Sequence, residues 1–342
     1  MRTNNGKNKG KGMCTMLLAS ALLLALLFSG CGKEPVNVRV GSLKGPTSMG
    51  LVALMDKAEK AKAQEEAGEE VTAPLKDIYD FTMETQPDAL VGMMVKGDLD
   101  IALIPANVAS ILYQKTEGAV TVIDINTLSV LYIVSANTEI QSFDDLNGQT
   151  IYLTGKGTTP DYVLRYLLQK HGLSTDDVTL EYKSEATEVA AVLAQDEHAV
   201  GLLPQPFVTA ACMQNDKLQI LFDCGEEWDA VCEDGSSIVT GVTVVRNEFL
   251  HDHKDAVKNF LAEHKESAEF ANTQTEETAA SVVKYGILEK EPVAQKAIPY
   301  CNITYIDGAE MKQALTGYLQ VLYDMEPESV GGALPGEVFY FE

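Results

Sequence analysis

Two short stretches of this sequence rhyme. Lys44-Gly45-Pro46-Thr47-Ser48 and Lys156-Gly157-Thr158-Thr159-Pro160 each bring together a lysine, a glycine, small hydroxyl residues and a proline. Such loops can hold a small polar molecule. Glycine lets a ligand approach the backbone, hydroxyls donate and accept, and proline sets the first turn of a following helix whose free N–H groups face outward. Pro105-Ala106-Asn107 and Gln205-Pro206 punctuate other apolar runs in a similar way. Each has a plainer reading, since Pro46, Pro160 and Pro206 suit any first helical turn and Ser48 or Thr159 any N-cap. Recurrence at corresponding loops in both halves of the chain marks them as a set.

Lys44 and Lys156 flank the two loops and could complement an oxyanion, although lysines beside glycine are also commonly solvated. No arginine stands in a candidate loop: Arg39 and Arg165 fall within a strand and a helix, and Arg246 follows a strand. A bidentate carboxylate or sulfonate clamp is therefore unsupported. Threonines, Asn107, Gln205 and backbone amides suit a neutral polar heterocycle equally well, with Trp228 or Tyr162 as a stacking lid. Trp228, alone of its type and in an acidic stretch, otherwise reads as a half-buried loop anchor.

Catalytic patterns are sparse. There is no Gly-x-Ser-x-Gly elbow, Walker loop or His-Glu-x-x-His. Ser281-Val282-Val283-Lys284 lacks its partner motifs and reads as a surface helix, and His251-Asp252-His253 reads as a polar helix start. No catalytic residue, metal ligand or cofactor is assigned. Cys212, Cys224, Cys232 and Cys301 are too few for a disulfide framework, and Cys224 and Cys232 either close a hairpin disulfide or stay free thiols. A metal site there would lack the close thiolate pairs that zinc prefers.

The chain has 342 residues, 46% hydrophobic and 22% charged, with room for two domains of roughly 150 residues. Fifty acidic against 26 basic residues give a formal charge of −24. Such a body repels nucleic acid and anionic lipid, so neither is an expected partner and any anion site must be local. Arg2, Lys7, Lys9 and Lys11 precede a leucine-rich apolar run over residues 13–28, followed by Phe28-Ser29-Gly30-Cys31. The run, about 16 residues, is shorter than the roughly 20 of a spanning helix. It resembles a bacterial lipoprotein signal, with 1–30 removed, Cys31 lipidated and 31–35 a tether. A simple N-terminal anchor is the alternative, and either places the body outside the cytoplasm at a membrane face.

Strands and helices alternate along the body. Strands are expected at 36–43, 78–85, 101–104, 120–125 and 129–135, and after a polar stretch at 137–147 again at 149–153, 178–182, 199–203 and 218–222. A strand at 237–245 returns to the first half, and helices fill 254–271, 275–285 and 309–323. Shorter helices fall between strands, one capped by Ser184 and one starting at Pro206. Repeated strand–helix units imply parallel sheets with helices on both faces, and ligands then bind beyond the carboxyl ends of strands.

Behind the lipoprotein leader, Val38-Arg39-Val40-Gly41, Pro87-Asp88-Ala89-Leu90, Gly97-Asp98-Leu99-Asp100-Ile101-Ala102, Phe143-Asp144-Asp145-Leu146-Asn147-Gly148 and Gly157-Thr158-Thr159-Pro160 stand in this order. Together they resemble the nitrate/sulfonate/taurine-type family of ABC-transporter substrate-binding proteins, over roughly residues 36–330. The resemblance implies an α/β architecture of the type II periplasmic-binding-protein fold: two α/β domains joined by two crossover segments around a central cleft. Domain 1 would hold 36–136 and 240–342 and domain 2 would hold 137–239, with crossings near 135–141 and 235–241. Related pyrimidine binders of thiamine salvage share the fold, so sulfonate, nitrate and pyrimidine all remain open.

The expected protein is a monomeric, lipid-anchored binder on the outer face of the bacterial plasma membrane. It captures a small molecule by hinge closure and delivers it to an ABC permease and its ATPase, without catalysis. An enzyme on the same fold and a surface sensor module are the alternatives. Lys44, Gly45, Pro46, Thr47, Ser48, Pro105, Asn107, Gly157, Thr158, Thr159, Gln205 and Trp228 are the expected ligand-binding residues.

Overall fold

A computed structural model describes Met1 and residues 34–342. The chain falls into two units, Met1–Val36 and Asn37–Glu342, and the second carries all of the strands and helices described below. The leader beyond Met1 and Cys31, its expected lipidation site, lie outside the described residues.

The second unit is built on two sheets. The first contains β1 (Asn37–Leu43), β2 (Ile78–Glu84), β3 (Ile101–Pro105), β4 (Val120–Thr127), β10 (Gly241–Arg246) and β11 (Ile303–Ile306), in the order β11-β4-β10-β3-β1-β2. The second contains β5 (Leu131–Ser135), β6 (Thr150–Thr154), β7 (Thr179–Lys183), β8 (Val200–Pro204) and β9 (Gln219–Asp223), in the order β7-β6-β8-β5-β9. β1 runs parallel to β2 and β3, and β6 parallel to β7 and β8. These are the strand–helix repeats that the sequence punctuates with proline and glycine.

The first sheet also takes in two reversed strands, β10 and, antiparallel to β4 at its edge, β11, and the second takes in one. β10 lies antiparallel between β3 and β4, and β5 antiparallel between β8 and β9. This corrects the expected boundary. The expected first half includes residues 129–135, with a crossing at 135–141, whereas β5 belongs to the second sheet and the chain passes between lobes at 128–130. It returns through 232–240, where the Thr240 N–H donates to the Thr127 carbonyl at 3.0 Å. The two crossings therefore run side by side. Five wholly buried residues in β5 look the same whichever sheet receives them, so apolar pattern alone could not place the strand.

The Gly-Asp-Leu-Asp-Ile-Ala step has a structural role. Asp100, 2% exposed, stands at the amino end of β3. Its carboxylate accepts the Arg39 backbone N–H at 3.0 Å, Arg39 Nε at 2.8 Å and Arg246 Nη2 at 3.1 Å. The motif thus clasps β1, β3 and β10 at the edge opposite the carboxyl ends of the parallel strands.

One apolar core runs through both lobes, from Leu90, Ile104 and Val242 to Ile151, Val163 and Leu202, by way of Trp228 and Tyr318. Two smaller layers cover the outer faces, one around Met49, Ala271 and Cys301 and one around Val189, Leu203 and Val208. The helix Ala186–Gln195 is capped by Glu185 and Glu188 in a capping box, one position beyond the expected Ser184.

Candidate functional site

The carboxyl ends of the parallel strands carry the expected loops. After β1, Gly45 takes φ 136°, a conformation that favours glycine, and a single helical turn Pro46–Met49 follows. The Thr47 hydroxyl donates to the Leu43 carbonyl at 2.9 Å. Ser48 Oγ donates to the same carbonyl at 2.6 Å and lies 2.8 Å from Ser42 Oγ. Both residues are buried, so their hydroxyl protons stabilise the loop itself. Thr47 Cγ2 also packs against the start of β10: a Cβ on Gly241 would fall 2.4 Å from it and 2.4 Å from Asn126 Oδ1. Gly241 pairs with Pro105, so Thr47, Pro105 and the second crossing meet at one place.

The corresponding loop of the second lobe is pinned from below. Gly155 and Gly157 take φ of 75° and 70°. The Thr158 hydroxyl closes on the Gly155 carbonyl at 2.6 Å, and the Gly157 N–H donates to Asp161 Oδ2 at 2.9 Å. Asp161, buried in the first turn of the helix Thr159–Lys170, accepts also from Arg165 Nε at 2.6 Å and the Tyr182 hydroxyl at 2.8 Å. Thr158 stays exposed, while the Thr159 and Asp161 amides have no carbonyl one turn back to bond. Asp161 tethers this turn to the helix, a role that sequence reasoning passed over although an acid in a first helical turn was its visible sign.

Other expected contacts are placed differently. Asn107 Nδ2 donates to the Ser329 carbonyl at 3.3 Å, and its neighbour Ser110 donates to the Val330 carbonyl at 2.7 Å, so this helix end anchors the C-terminal segment. The Lys156 ammonium lies over the Tyr182 ring at 5.4 Å, and Lys44 Nζ lies beside Gly286. The Tyr162 hydroxyl folds back onto the Gly157 carbonyl at 2.7 Å.

Trp228 corrects a second expectation. Its residues form the helix Cys224–Val231, with Cys224 and Trp228 both on the buried side, four positions apart. The indole is 0% exposed, donates from Nε1 to Ser236 Oγ at 3.1 Å, and packs against Tyr166 and Tyr318. It is a core residue rather than a stacking lid. The same helix separates Cys224 from Cys232 by roughly 12 Å along its axis, too far for a disulfide, and both are free thiols. Burial pushes the Cys301 thiol up to about 12, which leaves little thiolate there near neutral pH.

Gln205 follows β8 directly. Its N–H donates to the Val130 carbonyl in the first crossing at 2.8 Å, and the side chain is 2% exposed. Tyr318, which sequence reasoning did not single out, is buried beside Thr159, and burial pushes its phenol up. It comes from the helix Gly308–Met325 of the first lobe and meets the second lobe at the loop that opens the helix Thr159–Lys170.

Elsewhere, Lys284 joins Asp56 at 2.6 Å and Ser281 also bonds Asp56, which leaves the Ser-x-x-Lys pattern as part of an outer helical layer. Among the described residues no group of three or more His, Cys, Asp or Glu is placed to hold a metal ion. A cavity of about 280 Å³ lies against Leu54, Lys57, Glu263, Ser267 and Phe270 in the same outer layer and includes none of the expected site residues.

A family model described as ABC transporter, phosphonate, periplasmic substrate-binding protein matches residues 65–294. A binding protein of Brucella abortus (strain 2308) is 22% identical over 310 residues, 90% of each chain. Among solved structures, an ABC transporter from Parabacteroides distasonis has a TM-score of 0.72 at 24% identity, covering 90% of this chain and 99% of that one. The periplasmic aliphatic sulphonate binding protein SsuA from Escherichia coli has a TM-score of 0.67 at 16% identity, covering 90% and 97%. These likenesses bear out the fold that the sequence resemblance implied. Among the described residues no helix is long and apolar enough to cross a membrane. With well over half of its length matched by that model, the chain belongs to the phosphonate family of ABC-transporter periplasmic substrate-binding proteins.

Proposed function

We propose that this protein captures a small molecule with a sulfonate- or phosphonate-type oxyanion head between its two lobes. It delivers that molecule to an ABC permease and its ATPase, as a monomer and without turnover. One observation carries the choice of an oxyanion met by neutral groups. Every arginine among the described residues is already bound to a carboxylate: Arg39 and Arg246 to Asp100, and Arg165 to Asp161. The crossing-side ends of the strands offer instead the backbone amides of Thr159 and Asp161, the side-chain NH2 group of Gln205 and the positive end of a 12-residue helix. Such dipoles stabilise an anion without a counter-charge. The pair of adjacent crossings at 128–130 and 232–240 supports hinge closure around the bound head.

A thermal-shift series on the purified protein with ethanesulfonate, methylphosphonate, nitrate and a hydroxymethylpyrimidine tests this reading. A sulfonate or phosphonate at 100 times its Kd is expected to stabilise by about 2.7 kcal/mol. A response to the pyrimidine alone, or to none of the four, overturns it. The lipid on Cys31 belongs to the same proposal, and unchanged lipid labelling of Cys31→Ala ends it.

A further inference from the structure

We infer that Gln205 sets the hydrogen-bonding sense of the ligand site, admitting an acceptor and refusing a donor at the boundary of the two lobes. This rests on the oxyanion reading above and adds the residue that enforces it. The amide orientation follows from its neighbours. Oε1 accepts from the Thr209 hydroxyl at 2.8 Å and from the Thr209 backbone N–H at 3.3 Å. A backbone N–H can only donate, so the oxygen must face Thr209 and the NH2 group must face away. Nε2 is buried and has no hydrogen-bond partner among the described residues.

A buried amide donor without a partner is unusual, because such groups are nearly always satisfied. Its place explains the exception. Gln205 stands at the carboxyl end of a central strand and is bonded through its own N–H to Val130 in the first crossing, where a bound molecule would sit between lobes. Turned away from Thr209, the NH2 group keeps two N–H bonds free for an oxyanion oxygen or a carbonyl. They meet an amine, an ammonium or an amide N–H with donor against donor. Thr209 is the positioning residue, four residues on in the helix Phe207–Gln214, that stops the amide from turning over.

The test is calorimetric titration of the purified protein with ethanesulfonate and with ethanesulfonamide, which replaces one oxygen by an N–H donor group. The wild type is expected to prefer the sulfonate. Gln205→Glu keeps an oxygen for Thr209 but loses both donors, and its ethanesulfonate affinity is expected to fall at least tenfold. Thr209→Val removes the shorter of the two bonds to Oε1 and leaves only the 3.3 Å bond from the backbone N–H; it is expected to narrow the sulfonate-over-sulfonamide preference at least fivefold, while Thr209→Ser restores it. A purely structural Thr209 would weaken both probes alike and leave their ratio unchanged. If Gln205→Glu does not fold, the Thr209→Val and Thr209→Ser ratios decide alone. Sulfonate binding by the wild type with wild-type affinity in Gln205→Glu, or with an unchanged ratio in Thr209→Val, overturns the role of Gln205 and leaves the oxyanion reading standing. A wild type that binds neither probe nor methylphosphonate overturns both.

Discussion

Trp228 stands edge-on to Tyr318 with 5.8 Å between ring centres, which joins the last helix of the second lobe to the C-terminal helix of the first. Tyr166 closes the other side at 4.4 Å. This stack is where the apolar core passes from lobe to lobe, so the ring is held by packing and by its bond to Ser236. Trp228→Ala is therefore expected to lower stability by about 3–5 kcal/mol, and Trp228→Phe by distinctly less. Denaturant unfolding measures both. As the sole tryptophan, Trp228 also reports directly, and its emission should resist aqueous quenchers. Wild-type stability in Trp228→Ala would return the residue to the ligand.

Asp100 makes the protein acid-sensitive in a defined direction. Burial alone would push its carboxyl up, but the bonds from Arg39 and Arg246 outweigh that and hold it below the ordinary value of 3.8. A carboxylate depressed in the folded state contributes stability that is present above its unfolded value and lost as pH falls through the folded one. The stability of the wild type should therefore decline below about pH 4. Asp100→Asn should flatten that decline and reduce stability at neutral pH by about 2 kcal/mol, the loss of charged hydrogen bonds in a partly exposed cluster. An unaltered acid limb in the variant would remove Asp100 as its source.

Thr47 and Thr158 occupy corresponding loops, yet they should respond differently to enlargement. Thr47 is 5% exposed and its methyl group abuts Gly241, so Thr47→Leu should overpack the start of β10 and cost about 1–3 kcal/mol. Thr158 is exposed, and Thr158→Leu loses mainly its bond to the Gly155 carbonyl, for about 1 kcal/mol or less. Its effect should appear as at least tenfold weaker probe binding. Paired melting and titration experiments separate the two, and equal destabilisation by both substitutions would contradict the packing described for Thr47.

What the sequence disclosed was mostly local. Proline at the first turn of Pro87–Lys96 and glycine at its end mark that helix, and alternation marks β1, because both signals lie within a few residues. Which sheet receives β5 is a long-range fact, settled by its pairing with β8 and β9 and invisible in five buried residues. Trp228 is misread for another reason. Acidic neighbours suggest a loop, although Cys224 and Trp228 at helical spacing already describe a buried face. At the site, the small residues are visible as residue types, but the direction of their hydroxyls is not. Thr47 and Ser48 turn inward because the Leu43 carbonyl, at the end of β1, needs a donor.

Asp161 and Arg165 should act as one unit beneath the Gly155–Thr158 turn. The carboxylate holds the Gly157 N–H with one oxygen and Arg165 with the other, and Tyr182 shares the second oxygen. Asp161→Asn removes the charge that fixes Arg165 and leaves one oxygen where two were used. The turn, with two glycines in the left-handed region, then loses its main tether to the helix. Oxyanion-probe affinity is expected to fall several-fold, with stability lower by about 1–2 kcal/mol. Arg165→Ala should reproduce part of both effects, since Asp161 would be left buried without its cation. In a double-mutant cycle the two substitutions should be non-additive by about 1 kcal/mol. Full additivity would mean that Arg165 supports the helix independently and that the turn is set by its glycines alone.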